Sequence, residues 1–221
     1  GNSLDNIYYK VIYGEEIINP KTTNSRGQIS KIYDTAGLID ISTYDFNYRS
    51  ISQSRRFLKD YKSVPNYNIP NLESLLETEI LENFVQFDAL GRIVTQTSSD
   101  NTIMRLKYTE SRLMGEVKIE QSGIEKFFVK NIDYNEKGQR LKITYGNDVT
   151  TSYIYDSFTF RIINQKSVKQ NLEIIQNLKY TYDPVGNNTS IQDLAIPVTF
   201  FSGAKVDNIS RFVYDPLYRL I

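Results

Sequence analysis

Asp34, Asp88, Asp156, Asp183 and Asp215 each follow an aromatic residue, in Tyr33-Asp34, Phe87-Asp88, Tyr155-Asp156, Tyr182-Asp183 and Tyr214-Asp215. Recurrent carboxylates are the raw material of acid catalysis or of a calcium site. A calcium ion needs roughly six to eight oxygens converging on one point. Paired-carboxylate catalysis likewise needs two acids in one place with their pKa values pushed apart. These aspartates instead recur about once per repeat, which strings them along an edge. The chain has no histidine and no cysteine. That removes the commonest general base and the commonest transition-metal ligand, and with them thiolate nucleophiles, disulfides and thiolate zinc sites. The expectation is therefore that no residue is catalytic and that none binds a metal or a cofactor.

Turn formation explains the same residues. A type I turn favours Asp or Asn at its first position, Pro at its second and Gly at its fourth. Asp183-Pro184-Val185-Gly186 meets all three preferences; Asp88 with Gly91, and Asn135 with Gly138, meet two. The short Asp or Asn side chain accepts a bond from the backbone two residues on. A glycine at positive φ then joins the turn to a hairpin through a bulge. Gly91→Val and Gly186→Val should each be destabilising on this reading.

The elements that must carry these turns form a repeat. Its copies begin at Tyr33, Phe87, Tyr134, Tyr155, Tyr182 and Tyr214, with a degenerate one at Tyr108. From Phe87 onward the aromatic starts are 21, 26, 21, 27 and 32 residues apart, an interval that suits a two-stranded hairpin with its connection. The aromatic is read as the last residue of the incoming strand. Two positions earlier, on the same face, stand Val85, Leu106, Ile132, Tyr153, Tyr180 and Phe212, with Lys31 as the exception in the first copy.

The expected fold is mainly β: antiparallel hairpin repeats in a curved, twisted sheet, with one helical insert. Residues 60–84 break the repeat. Within them Leu72, Leu75, Leu76, Ile80, Leu81 and Phe84 make a helical stripe, with Asn71 as N-cap and Glu73 in the first turn. The helix is placed at residues 71–83. Its Glu73, Glu77, Glu79 and Glu82 read as a solvated face. Residues 1–221 are read as a single repeat region, a piece of something longer.

Bulk properties narrow the partners. Lys and Arg total 26 and Asp and Glu 26, so no net field draws the chain to nucleic acid or anionic lipid. No apolar run is long enough to span a bilayer as a helix, and the opening Gly1–Asn6 lacks the pattern of a signal peptide. The 17 Tyr and 11 Phe could form a sugar-binding strip. Their period-two placement favours packing, with each tyrosine hydroxyl satisfied.

These residues resemble the YD repeats of the RHS family. Longer strings are similar to the C subunit of bacterial insecticidal toxin complexes. They are Ser25-Arg26-Gly27-Gln28 leading to Tyr33-Asp34-Thr35-Ala36-Gly37; Ser52-Gln53-Ser54-Arg55-Arg56-Phe57-Leu58; Thr95-Gln96-Thr97; Tyr182-Asp183-Pro184-Val185-Gly186-Asn187; and Arg211-Phe212-Val213-Tyr214-Asp215-Pro216-Leu217-Tyr218. The resemblance runs through most of residues 11–221 in consistent order.

It implies a segment of a hollow β-sheet shell in a secreted toxin assembly. The implied partners are a B subunit and the C-terminal toxic region of the same parent protein, which the shell encloses. In the family a core lying after the repeats frees the toxic part with aspartate chemistry. Asp183-Pro184-Val185-Gly186 echoes that motif but sits in an ordinary repeat. The lost glycine in Asp156-Ser157-Phe158-Thr159 puts only local turn geometry in question. A carbohydrate-binding YD module is the alternative function. Weak self-association through unpaired strand edges is expected of an excised sheet.

Overall fold

The structure, a computed structural model, describes residues 6–221; residues 1–5, most of the opening segment considered above, lie outside the described residues. The chain forms two compact units. One comprises the residues up to Arg105 with Glu120–Ile124, the other Leu106–Ile119 with Glu125–Ile221.

The first unit carries β1 (Lys10–Tyr13), β2 (Ile29–Asp34), β3 (Gly37–Tyr44), β4 (Ser50–Phe57), β5 (Leu81–Phe87) and β6 (Ile93–Thr97). Each pairs antiparallel with the next, and β6 pairs onward with the start of β7 (Ile103–Tyr108). β-branched and aromatic residues favour this pleated surface. A sheet one layer thick cannot bury a face alone; here residues 58–80, between β4 and β5, fold back to cover one.

A core cluster results, made of Tyr33, Leu38, Leu58, Tyr67 and Leu76, with Ile7, Ile12, Leu72 and Leu75 packed against it. Tyr67 and Leu76, both from the excursion, are only 1% exposed. The Tyr67 ring lies 5.2 Å from that of Tyr33. Its hydroxyl donates to the Asp34 carbonyl at 2.5 Å, and its N–H donates to the Ile7 carbonyl at 2.6 Å. Leu58 and Leu76 form a β-bridge. Arg56 pairs with Glu73 and donates from Nη2 to the Glu77 carbonyl at 2.8 Å.

The helix expected at residues 71–83 does not form. Only Leu72–Leu75 make a single 3-10 turn, and Leu76 is already extended at φ −94°, ψ 145°. Asn71 offers no side-chain cap; its carbonyl accepts from the Ser74 hydroxyl at 2.7 Å instead. The apolar stripe fits two periods at once. From Leu81 to Phe87 the residues alternate half-buried and exposed, the period of a strand. As β5 they hydrogen-bond to β4 on one side and β6 on the other. A lone helix of about twelve residues is marginal and offers no such pairing, so the strand wins.

The second unit carries most of β8 (Met114–Gln121) and of β9 (Ile124–Tyr134), with β10 (Arg140–Tyr145), β11 (Thr150–Tyr155), β12 (Ile162–Val168), β13 (Ile174–Tyr182) and β14 (Asn188–Asp193). From β9 to β14 each strand pairs antiparallel with the next. β15 (Thr199–Phe201) and β16 (Ala204–Val206) form a separate hairpin, after which β17 (Ile209–Arg211) pairs with β14. A buried row crosses the strands: Ile132 opposite Ile143, Ile143 opposite Thr151, and Thr151 opposite Ser167. The two hydroxyls of that row meet at 2.8 Å, so no polar atom is stranded there.

The mainly-β, antiparallel, hairpin-built fold read from the sequence is what the chain adopts. Phe87, Tyr108, Tyr134, Tyr155 and Tyr182 each end a strand. Val85, Leu106, Ile132, Tyr153, Tyr180 and Phe212 are all buried or half-buried. No helix among the described residues is long and apolar enough to cross a membrane.

Candidate functional site: the turn carboxylates

Asp88 shows what the repeated carboxylate does. Its carbonyl accepts the Gly91 N–H at 2.9 Å and its own N–H donates to the Arg92 carbonyl at 2.9 Å, which closes a type I turn with a bulge. Oδ1 accepts the N–H groups of Leu90 and Arg92, both at 2.9 Å, while Oδ2 accepts Arg92 Nε at 2.7 Å. Asp215 repeats the arrangement with Leu217 and Arg219. In the Asp183 turn the fifth residue is Asn187, whose Nδ2 donates to Oδ2 at 2.8 Å. Asn135 uses Gln139 in the same place. The carboxylate thus staples both ends of its own hairpin.

Two features of this device were not read from the sequence. One is the fifth residue of the turn (Arg92, Asn187, Arg219), whose side chain returns to the first. The other is a further copy, Tyr44-Asp45. Asp45 Oδ1 accepts from Asn47 and Arg49 N–H, and Arg49 Nε donates to Oδ2 at 2.6 Å. A Tyr-Asp pair with Arg four residues on would have found it. The missing glycine hid it, because Tyr48 holds the positive-φ position at φ 60°.

Asp34 belongs to a different turn. β2 continues through it, and Asp34 pairs directly with Gly37 across a two-residue loop. Its carboxylate takes two bonds from Arg55, at 2.7 and 2.9 Å, as well as the N–H groups of Ala36 and Gly37. Since strands alternate in direction, this loop lies at the edge of its unit opposite the Asp45 and Asp88 turns. Tyr33 is accordingly a core residue rather than the first member of the turn series. The Asp156 turn is one residue longer than the others. Phe160 takes the positive-φ place, and the Asp156 N–H reaches the Arg161 carbonyl at 2.8 Å.

Asp156 and Asp183 line one open cleft of about 440 Å³, with Arg161, Tyr180 and Tyr182 beside them. A general acid there would need a raised pKa; both shift the other way. Three bonds hold Asp156 low, the Thr159 N–H first, then the Thr159 hydroxyl and the Phe158 N–H. For Asp183 desolvation pushes upward but is outweighed by the Asn187 side chain and N–H and the Gly186 N–H. Asp34 is lowered first by its Arg55 bond. Among the described residues no three acidic side chains gather where they could hold a metal ion.

A carboxylate depressed in the folded state adds stability above its unfolded pKa and loses it as pH falls through the folded value. The thermal midpoint is therefore expected to stay level above about pH 5 and to fall below about pH 4. Asn at position 34, 88 or 215 should flatten that acid limb. Millimolar calcium should leave the midpoint where it was, since the carboxylate oxygens already accept N–H groups. A midpoint rising by several degrees with calcium would reopen the metal reading.

Gly186 has φ +110°, and a Cβ there would lie 2.5 Å from Arg161 Nη2. Gly186→Val should cost about 1–3 kcal/mol through backbone strain, read as a lower denaturant midpoint. Gly91 sits at φ +82° and a Cβ there would lie 2.3 Å from Arg49 Nη1, so Gly91→Val should be destabilising as well. A Gly186→Val midpoint equal to wild type would remove the turn assignment.

The tyrosine hydroxyls also have partners. Those of Tyr134, Tyr155 and Tyr214 donate to the carbonyls of Met114, Arg140 and Asn188 at 2.7, 2.9 and 3.0 Å. Tyr44 donates likewise to the Ile29 carbonyl. Arg49 stacks 4.4 Å from the centre of the Phe87 ring.

No protein-family model matches the chain. It is 30% identical over 222 residues to the toxin subunit YenC2 of Yersinia entomophaga, covering 95% of this chain and 23% of that protein. To YenC1 of the same organism it is 30% identical over 210 residues, covering 91% of this chain and 22% of that protein. It spans less than a quarter of the length of these curated relatives. Among solved structures, a TcdB2–TccC3–Cdc42 crystal structure matches 98% of this chain and 10% of its own, with TM-score 0.85 and 32% identity. A Photorhabdus luminescens Tc holotoxin pore matches 100% of this chain and 10% of its own, with TM-score 0.86 and 31% identity. The repeat turns, the antiparallel meander and these likenesses agree: the chain is a YD-repeat, RHS-type segment of the kind carried by C subunits of bacterial insecticidal toxin complexes.

Proposed function

We propose that this segment is wall material: part of a β-sheet shell that helps enclose and deliver a cytotoxic C-terminal region of its parent protein. The likeness to YenC2 over 95% of the chain carries this reading. The turn geometry supports it, because Asp88, Asp156, Asp183 and Asp215 spend their oxygens on their own hairpins. Residues 1–221 act as one repeat region of a longer, secreted protein, and the segment is not an enzyme. Its partners are the B subunit of the complex and the enclosed toxic region. It neither binds nucleic acid nor inserts into membrane. Cut out, it associates weakly with itself through strand edges, whose free N–H and C=O groups accept another chain.

The test uses the full-length parent co-expressed with its B subunit. The C-terminal region should resist protease, and deleting residues 1–221 should expose it. Equal resistance with and without the segment would overturn the wall reading. The purified segment should turn over no nucleotide, glycan or peptide substrate and should not cleave itself. Turnover abolished by Asp183→Asn would overturn the non-enzymatic reading.

A further inference from the structure

Glycine is not the only residue at the positive-φ place of the repeat turns. Tyr48, Phe160 and Tyr218 stand there at φ 60°, 58° and 60°, whereas Gly91, Gly138 and Gly186 stand at φ 82°, 74° and 110°. Positive φ is therefore compatible with a side chain in this turn. Something further selects glycine in some copies.

At two glycines the neighbouring turn supplies it. In the first unit Arg49, the fifth residue of the Asp45 turn, reaches forward to the Asp88 turn. Its guanidinium lies 4.4 Å from the centre of the Phe87 ring, and its Nη1 is 2.3 Å from where a Cβ on Gly91 would stand. The second unit repeats this. Arg161, the last residue of the Asp156 turn, lies 5.8 Å from the centre of the Tyr182 ring and donates from Nη1 to the Asp183 carbonyl at 3.2 Å. Its Nη2 is 2.5 Å from where a Cβ on Gly186 would stand. Each arginine thus rests on both the aromatic and the glycine of the following repeat. A cation over a ring face is held there electrostatically. Arg49 is also tethered from behind, because its Nε and Nη2 both meet Asp45 Oδ2 at 2.6 Å.

Turns that follow a different residue lack this arrangement. Gln139 precedes the Asp156 turn and bonds the Phe160 carbonyl from Nε2 at 2.8 Å; Phe160 keeps its side chain, and the ring takes Lys137 at 3.0 Å from its centre. Asn187 precedes the Asp215 turn and folds back onto Asp183, and Tyr218 fills the place. Leu113 precedes the Asn135 turn, and a Cβ on Gly138 would meet only its Cδ1, at an ordinary 3.6 Å.

We propose that the aromatic and the glycine of a repeat form the seat for the arginine that closes the repeat before it. The residue at the end of one turn then sets the residue at the positive-φ place of the next. Gly91 and Gly186 serve the preceding hairpin as well as their own, and adjacent hairpins stabilise one another as nearest neighbours.

Double-variant cycles on the intact chain, read as denaturant midpoints, test the idea. Arg49→Asn withdraws the guanidinium but keeps a donor for Asp45, as Asn187 is for Asp183. Gly91→Ala should lower the midpoint. In the Arg49→Asn background that drop should shrink by about half or more, since only backbone strain is left. The drop caused by Gly186→Ala should shrink likewise with Arg161→Ala. Gly138→Ala is the comparison, and its drop should be the same with and without Leu113→Ala. Should Gly91→Ala leave no folded chain, the Gly186 cycle decides. Equal drops with and without the arginine would overturn the proposal. So would a coupling at Gly138 as large as at the arginine-covered glycines.

Discussion

Tyr67→Ala is expected to destabilise the first unit by about 3–5 kcal/mol, the range for truncating a fully buried aromatic. Three losses coincide in this change. The ring leaves its place against Tyr33 and opens a cavity in the Tyr33, Leu38, Leu58 and Leu76 cluster. The hydroxyl bond to the Asp34 carbonyl disappears, leaving that acceptor to find water. The 58–80 excursion also loses its deepest anchor, and with it the backbone link from Tyr67 to Ile7 near β1. Tyr67→Phe separates the terms, since it keeps the ring and drops only the hydroxyl, at a cost of about 1 kcal/mol. Denaturant midpoints of the two variants against wild type decide it. A Tyr67→Ala midpoint within about 1 kcal/mol of wild type would show that the excursion merely rests on the sheet.

Gly37→Ala should be nearly as damaging, at roughly 2–5 kcal/mol, when backbone strain and overpacking are taken together. Gly37 holds φ +137°, where side chains are rarely found, and a Cβ there would run into the Arg56 carbonyl and lie 3.0 Å from Phe57 Cα. Both obstacles are main chain of β4, which cannot swing aside as a side chain can. Gly27→Ala is the matched comparison. Its φ is +70° and nothing lies within 4 Å of the added carbon, so it should cost only about 1 kcal/mol. Similar losses for the two variants would mean that β3 and β4 do not approach as closely as the structure has them.

Much of this was legible in the sequence because turn chemistry is local. Asp183-Pro184-Val185-Gly186 declares its turn within four residues, and the Gly186 N–H closes it on the Asp183 carbonyl; the bonds that Asp183 Oδ1 accepts from Gly186 and Asn187, three and four residues on, were not in that reading. The face assignment held for a similar reason: Val85 and Phe87, two apart on one strand, must share a side. Tertiary choices were hidden. Leu72 to Phe84 satisfies a helical stripe and a turn followed by a strand equally well, and only the partners on β4 and β6 decide between them. Tyr44-Asp45 was concealed because its positive-φ residue is Tyr48 rather than glycine. The arginine staple went unread because its two halves matter only once the hairpin has closed.

That staple bears on how such chains change over generations. The Asp45, Asp88, Asp183 and Asp215 turns are each locked by their own fifth residue, as Asp88 is by Arg92, and two strands later the chain is back at the same edge. Adding or losing two strands together leaves every other hairpin closed and every side chain facing as before. Losing a single strand would turn all downstream faces inside out. Inherited length variants of such arrays should therefore differ by strand pairs, much as a reading frame tolerates only whole codons.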